Sequence, residues 1–570
     1  MIPRNEHPKP QFMRDGWENL NGEWQYENDC GNSGEARGLF LPDAEYSQKI
    51  TVPFCPQSSL SGIGNTDFMR SVWYRRTFTV DSGKKGGLIV LHVGACDYLS
   101  TVYVNGKKVG THKGGYVSFS FDVTDYTVEG ENTLVIHAED DERDRLIPTG
   151  KQSEKYDSYG CFYTRTTGIW QTVWLEYLPK IHIDSVKYYP SAETGSLTVI
   201  ADLTGKGTLT LSSSFEGKDT GSVSCASDGG TLTLTLPLTE KHLWEIGKGG
   251  LYDLTLTYGE DTVRSYFGLR SISYRDKKFF LNGKSVFQRL ILDQGFYPDG
   301  IYTAPSDEEL EMDIDRSVAM GFNGARLHQK VFEERFLYHA DKKGYIVWGE
   351  YPNWGLDHTY ADAVYGILPE WLEEIKRDFN HPSIVGWCPF NETWDEKGRK
   401  QFDGLLAAVY LATKAADDTR PCIDTSGNYH VGDYTDVYDT HNYCQNPDEF
   451  ASFYSSLPID GTYKDNNAVE GRQHYNGRLP FFVSEYGGIL WSDKQGWGYG
   501  EGPKTEEEFL SRLKGLTDVL LDNPAIFALC YTQLTDVEQE QNGLYTYDRK
   551  PKFPPEVISP IFSRRAAVED

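Results

Sequence analysis

Eight short apolar runs, separated by stretches of helical spacing, fill the chain from about residue 285 onward: FQRLILD, GFNGARL, YIVWGE, IVGWCPFNE, PCIDTS, DVYDTHNY, PFFVSEY and IFALCYTQ. Strand-like runs that alternate with helices give the rhythm of a parallel sheet, and eight such units in under 300 residues match the size of a (β/α)8 TIM barrel. Ser306 with Glu309, and Thr505 with Glu508, have the spacing of capping boxes. They precede Leu310, Ile314 and Val318 in one case and Phe509, Leu513 and Leu516 in the other, which predicts helices starting at both points.

The preceding half has a different period. LIVLHVG, TVYVNGKKVG, SFSFDVT and NTLVIHAE are short β-branched and aromatic runs broken by turn residues, and Asn105-Gly106 between two of them predicts a tight hairpin. The alternation continues in SLTVIADL, GTLTLSSSF, GGTLTLTLPL and GLYDLTLTYG with immunoglobulin-like spacing, and a second hairpin is expected at Asn282-Gly283. The expected architecture is a jelly-roll β-sandwich over 1–180, an immunoglobulin-like β-sandwich over 181–272 and a barrel over 273–570: a multidomain β plus α/β protein.

Composition removes several classes of function. A net charge of −28 repels polyphosphates and anionic membrane surfaces, so neither nucleic acid nor a membrane is an expected partner. The start MIPRNEHPKPQF lacks the apolar core of a secretory signal, and no run approaches the roughly 18 apolar residues of a membrane span. A cytoplasmic protein is expected. The nine cysteines are scattered and never in CxxC spacing, which predicts reduced, buried thiols. Asp140 and Asp141 are adjacent on a strand and therefore face opposite ways, so no metal is expected there or elsewhere.

Chemistry on a barrel sits at the C-terminal ends of its strands. The fourth run ends in Asn391-Glu392 and the seventh in Ser484-Glu485. Cleavage of a glycosidic bond needs one carboxyl to protonate the leaving oxygen and a second to attack or to activate water, and two strand-end glutamates supply that inventory. The alternative is that they form ion pairs with barrel arginines such as Arg326.

The segments HPSIVGWCPFNETW and FFVSEYGG resemble the two catalytic signatures of glycoside hydrolase family 2. LNGEWQY, VPFCPQS, WYRRTF, VNGKKVGTHKGGY and TTGIWQTVWLE resemble its sugar-binding jelly roll, and GFNGARLHQ and GYIVWGE its second and third barrel strands. The resemblance implies Glu392 as acid/base, Asn391 bonding the sugar 2-hydroxyl, Glu485 as nucleophile and Tyr443 placing its hydroxyl against Glu485. Tyr443 could also simply pack at the rim. His328, Arg326 and His441 are expected to line the pocket, although either histidine could be a satisfied core residue. Asp293 either binds sugar hydroxyls or caps its turn. Trp348, Trp354, Trp394 and Trp491 are candidates for stacking on sugar faces or for plain packing.

The family's β-glucuronidases carry Asn-x-Lys just before a segment like GLYTYDRKPK, where this chain has Glu540-Gln541-Asn542. Phe162 stands where many members carry a substrate-binding aspartate, six residues before Gly168. The resemblance thus implies a retaining exo-glycosidase, β-galactosidase-like, acting on small glycosides or oligosaccharides without a cofactor. Its alternatives are α-L-arabinosidase or β-glucuronidase activity, or a carbohydrate-binding protein without turnover. Glu392 is expected to be held protonated by its negative neighbour. Association into a homo-oligomer through the β-domains also follows from the resemblance.

Overall fold

The computed structural model describes residues 2–427, 429–464, 475, 477–493 and 495–569. Seven parallel strands lie in the order Ile384–Cys388, Ile346–Glu350, Gly324–Leu327, Gln288–Asp293, Ile526–Thr532, Phe481–Gly487 and Tyr438–Asn442. Every residue of these strands is buried, as parallel strands covered on both faces require.

The fifth expected strand is the exception. Residues 421–426 bridge to the fourth through Trp387↔Cys422 and Asn391↔Ser426, and the Asp436 N–H donates to Cys422 O at 3.0 Å, so the segment closes the barrel without forming a regular strand. Pro421 has no N–H to give, and the side chains of Asp424 and Ser426 are drawn into bonds with His430 and Asp439. Among the described residues no helix separates this segment from the next strand, contrary to the expected βα rhythm. A three-stranded meander over Ile272–Ser285, whose second turn is Asn282-Gly283 with φ of +52° and +80°, shares one apolar cluster with the barrel floor through Phe279, Leu281, Trp348 and Phe527.

Both expected capping boxes start helices: Ser306 Oγ accepts from the Glu309 N–H ahead of Asp307–Ala319, and Thr505 Oγ1 from the Glu508 N–H ahead of Glu506–Leu521. Phe509, Leu513 and Leu516 are buried. Val318 is not. The first helix turns Leu310, Asp313, Ile314 and Ser317 inward and leaves Val318 49% exposed, because a 3.6-residue period carries position 318 past the edge of the buried stripe.

The N-terminal half forms two β-sandwiches. The first pairs a four-stranded with a six-stranded antiparallel sheet around Trp24, Tyr26, Val72 and Ile136, and Asn105-Gly106 (φ +51° and +76°) turns the hairpin between Leu99–Val104 and Lys107–Lys113. The second packs sheets of three and four strands between His182 and Gly268. All nine cysteines are free thiols, but four are not buried: Cys30 is exposed, and Cys161, Cys225 and Cys444 are half-buried. Asp140 is buried, while Asp141 pairs outward with Arg70 at 2.7 Å, so the two face apart as their adjacency predicts. No described helix is long and apolar enough to cross a membrane.

Candidate active site

The barrel mouth is organised around one guanidinium. Arg326, on the second strand and 1% exposed, donates from Nε to Glu350, from Nη1 to Ser484 O (2.7 Å) and Glu485 Oε1 (3.2 Å), and from Nη2 to Asn391 Oδ1 (3.0 Å). A planar fork of fixed donors thereby fixes the third, fourth and seventh strand ends relative to one another. Arg326 does pair with Glu485, but its closer carboxylate partner is Glu350, which leaves Glu485 free to carry other contacts.

Glu485 is sequestered, with its side chain 4% exposed, and Oε2 accepts a 2.5 Å hydrogen bond from Tyr443 OH. Glu392 is different: its side chain is 36% exposed to the cleft, and its backbone sits at φ +48°, a left-handed conformation costing about 1–3 kcal/mol that functional sites tolerate. His441 lies between them, with Nδ1 2.7 Å from Glu392 Oε1 and 3.4 Å from Glu485 Oε2. One oxygen of each glutamate and the histidine nitrogen lie within 4.8 Å of one another. Among the described residues this is the only trio compact enough to hold a metal, and its Nδ1 is already in hydrogen-bond geometry with a carboxylate.

The electrostatics of this trio act on Glu392 and His441 in opposite directions. Burial opposes a charge on His441, but Glu485 and the hydrogen-bonded Glu392 outweigh it and raise the His441 pKa. Burial would raise Glu392, yet the hydrogen bond and charge of His441, with Lys151 and Arg326, hold it below its ordinary value. On the far side of the ring, His441 Nε2 meets Ser426 Oγ at 2.9 Å, and that hydroxyl donates to Asp439 Oδ2 at 2.6 Å. With the serine proton so used, Nε2 is the donor. Geometry and both directions of shift thus favour a proton on the His441 side of its 2.7 Å contact with Glu392.

Of the remaining candidates, Tyr443 and Asn391 join this network. Tyr443 OH also meets Thr532 Oγ1 at 3.0 Å, so the residue is no mere rim packing. His328 Nδ1 lies 3.0 Å from Glu350 Oε2, and its pKa is pushed well down by burial and by Lys151, leaving a neutral ring. Asp293 accepts from the Gly295 N–H at 2.9 Å and has Asp313, Arg549 and Lys330 as charged neighbours, which places it with its turn rather than with the glutamates. Burial, with Asp313, raises its pKa to about 7. Trp354 donates from Nε1 to Asn391 O at 2.9 Å and meets Trp394 edge-on at 5.9 Å. Trp491 packs instead against Phe509 and Phe553 in the outer core. Trp348 cannot stack on a ligand, since it is fully buried in the barrel floor and bonded to Gln288.

Four residues of the site escaped the sequence reading. Glu350 ends YIVWGE, where nothing separates it from any strand-end acid. Glu540 was read only as a departure from a lysine-bearing motif. It is 2% exposed and accepts from Asn542 Nδ2 at 3.0 Å and from Tyr163 OH. Tyr163 and Lys151 come from the jelly roll, whose 147–165 segment is laid into the barrel mouth. Thr149 and Gly150 N–H groups donate to Trp354 O at 2.7 and 3.0 Å. The signal was conformational: Gly150 has φ +56°, and a Cβ there would lie 2.5 Å from Gln329 O, so only glycine allows this approach.

Residues 63–175 match the sequence profile of the glycosyl hydrolases family 2 sugar binding domain, and residues 303–491 match that of the family's TIM barrel domain; together the two cover more than half of the chain. A provisionally named β-glucuronidase of Formosa agariphila is 25% identical over 86% of this chain and 58% of its own length. A β-galactosidase of Thermoanaerobacter pseudethanolicus is 28% identical over 58% of this chain and 46% of its own length. The chain thus spans about half the length of these two relatives. The solved β-glucuronidase of an uncultured Clostridium sp. superposes with a TM-score of 0.80 at 21% identity, covering 97% of this chain and 99% of that one, which establishes the common fold. With both profiles in their expected order along a jelly roll and a barrel, the chain belongs to glycoside hydrolase family 2.

Proposed function

We propose that the protein is a retaining exo-glycosidase that removes terminal non-reducing sugars by double displacement, with Glu485 as nucleophile and Glu392 as acid/base. The observation that carries this is separation: oxygens of Glu392 and Glu485 lie within 4.8 Å. A retaining pair stands about 5–5.5 Å apart, whereas inversion needs about 6.5–9.5 Å to admit a water between substrate and base. The burial contrast supports the assignment of roles. Glu485 is enclosed and oriented by hydrogen bonds from Arg326 and Tyr443, and Glu392 opens onto the cleft where a leaving group departs.

In the first step Glu485 attacks the anomeric carbon while the proton held between His441 and Glu392 passes through Glu392 to the glycosidic oxygen. In the second, Glu392 takes a proton from water as the water opens the glycosyl ester. The preferred substrates are small β-galactosides; α-L-arabinosides follow, because L-arabinopyranose shares the ring hydroxyls of galactose. The test is hydrolysis of nitrophenyl β-galactoside, β-glucuronide, β-glucoside, β-mannoside and α-L-arabinoside. Glu485→Gln should lower kcat by about a thousandfold or more without changing the melting temperature. Turnover that survives in Glu485→Gln would remove Glu485 from the mechanism.

A further inference from the structure

Lys151 is a buried cation with its donors unspent. The residue is 5% exposed, and among the described residues its ammonium makes no hydrogen bond and no ion pair. Its Nζ lies 4.0 Å from the centre of the Trp354 ring, whose own indole N–H is tied to Asn391 O beside Glu392. Burial lowers its pKa, but Cys161, Glu540, Glu485 and Glu392 overcome that effect, so the side chain stays charged and faces the catalytic carboxylates. Gly150 holds it there, since the main chain on either side of Lys151 is tied down: the Gly150 N–H donates to Trp354 O, and Lys151 O accepts from the Tyr163 N–H at 2.8 Å. An ammonium carries three donors, and one that makes no protein hydrogen bond among the described residues is open to a ligand.

Glu540 is the complementary feature. Each of its oxygens accepts one bond, from Asn542 and from Tyr163, which leaves accepting capacity on both. After burial, Lys151 exerts the largest influence on its pKa, although the two do not pair directly. A donor from the jelly roll and an acceptor from the barrel that influence one another without pairing suit the hydroxyls of a sugar. They do not suit a carboxylate. Four buried or cleft-facing carboxylates, Glu350, Glu392, Glu485 and Glu540, already face three cations, Arg326, His441 and Lys151, and Arg326 is spent on Glu350, Glu485 and Asn391. A ligand carboxylate would join four acidic side chains already gathered there, with Arg326 so committed.

We propose that Lys151 of the jelly roll and Glu540 of the barrel form a split donor–acceptor pair that holds hydroxyls of a neutral terminal sugar and discriminates against uronic acids. The proposal rests on the glycosidase reading but is tested by binding, independently of turnover. Calorimetry compares D-galactose with D-galacturonate and D-glucose with D-glucuronate, pairs that differ only at C6. The wild type should bind the neutral member of at least one pair about tenfold or more tightly than its uronate. Lys151→Met should weaken that neutral sugar about tenfold or more and raise KM more than it lowers kcat, as expected for a lost hydrogen bond to a charged group. Glu540→Gln should narrow the preference over the uronate. Lys151→Arg, which keeps the charge, serves where the methionine variant does not fold and should retain the neutral-sugar preference. A wild type that prefers the uronate, or that binds neither sugar while melting cooperatively, overturns the proposal. So does Lys151→Met binding the neutral sugar within twofold of wild type. Persistent hydrolysis in Glu485→Gln instead defeats the reaction assignment and leaves the binding result standing.

Discussion

His441 is the residue whose chemistry most repays attention, because it separates where the acidic proton rests from where it is used. Its Nδ1 faces Glu392 at 2.7 Å, its Nε2 faces a serine whose proton is committed to Asp439, and the flanking carboxylates raise its pKa above the ordinary value of 6.5. A group with a raised pKa keeps its proton until pH climbs through that raised value, so the alkaline limb of kcat/KM should lie above pH 6.5. In His441→Asn the proton must rest on Glu392 alone, and the limb should move to lower pH while the variant melts as wild type does. An unmoved limb would show that His441 does not hold the proton. None of this was legible in the sequence, where a histidine in THNY is compatible with core packing. Glu392 and Glu485 were legible as candidates because each ends a strand-like run, and the resemblance to the family's two signatures, rather than the runs alone, singled them out. Trp348 and Trp354 could not be told apart by pattern, since the barrel interior and its rim both accept an indole.

At the scale of elements, the feature with most leverage is the 147–165 segment, tied by its backbone to the third barrel loop. Gly150→Ala places a Cβ 2.5 Å from Gln329 O and 2.9 Å from Pro352 Cβ at a φ of +56°. The expected result is a loss of about 1–3 kcal/mol and a displaced Lys151. It should show as a raised KM and as protease sensitivity within 147–165, and an alanine variant with wild-type KM would mean that the segment can dock in another way. The eight staves could be found from sequence because strands buried on both faces leave no polar alternation to confuse. The irregular fifth one, with Pro421 at its start and side chains competing for backbone partners, has a pattern no different from its neighbours. The docking itself had no periodic signature, because a loop that folds onto a distant domain leaves only a glycine to mark it.

On the scale of the whole molecule, the two sandwiches meet at Arg14. Its Nε and Nη2 each reach an oxygen of Asp261 at 2.8 Å, Nη2 also donates to Ile183 O at 2.6 Å, and Nη1 stands 3.6 Å from Glu176. Asp261 and Glu176 belong to different sandwiches and both are nearly buried, at 2% and 6% side-chain exposure. Removing the shared cation strands two buried carboxylates, so Arg14→Met should cost about 3–5 kcal/mol in urea unfolding without changing kcat/KM. Glu176 also sets an acid limit. Burial would raise its pKa, but the His92 hydrogen bond with the charges of Arg14 and Lys9 brings it down to about 2. Stability from this group is therefore complete above the ordinary carboxylate pKa and is lost as pH falls toward 2. Arg14→Met should bring acid unfolding on at higher pH, and an unchanged acid midpoint would count against the linkage.

The hydrogen bond from Tyr163 to Glu540 joins residues 377 positions apart. A ribosome delivers one partner long before the other, and Glu485, the proposed nucleophile, emerges between them. On the proposed mechanism, the loop carrying Lys151 and Tyr163 is made before the barrel it docks against, and both proposed catalytic glutamates follow it. On that reading the site is completed only when the last strand and the turn that carries Glu540 have been made.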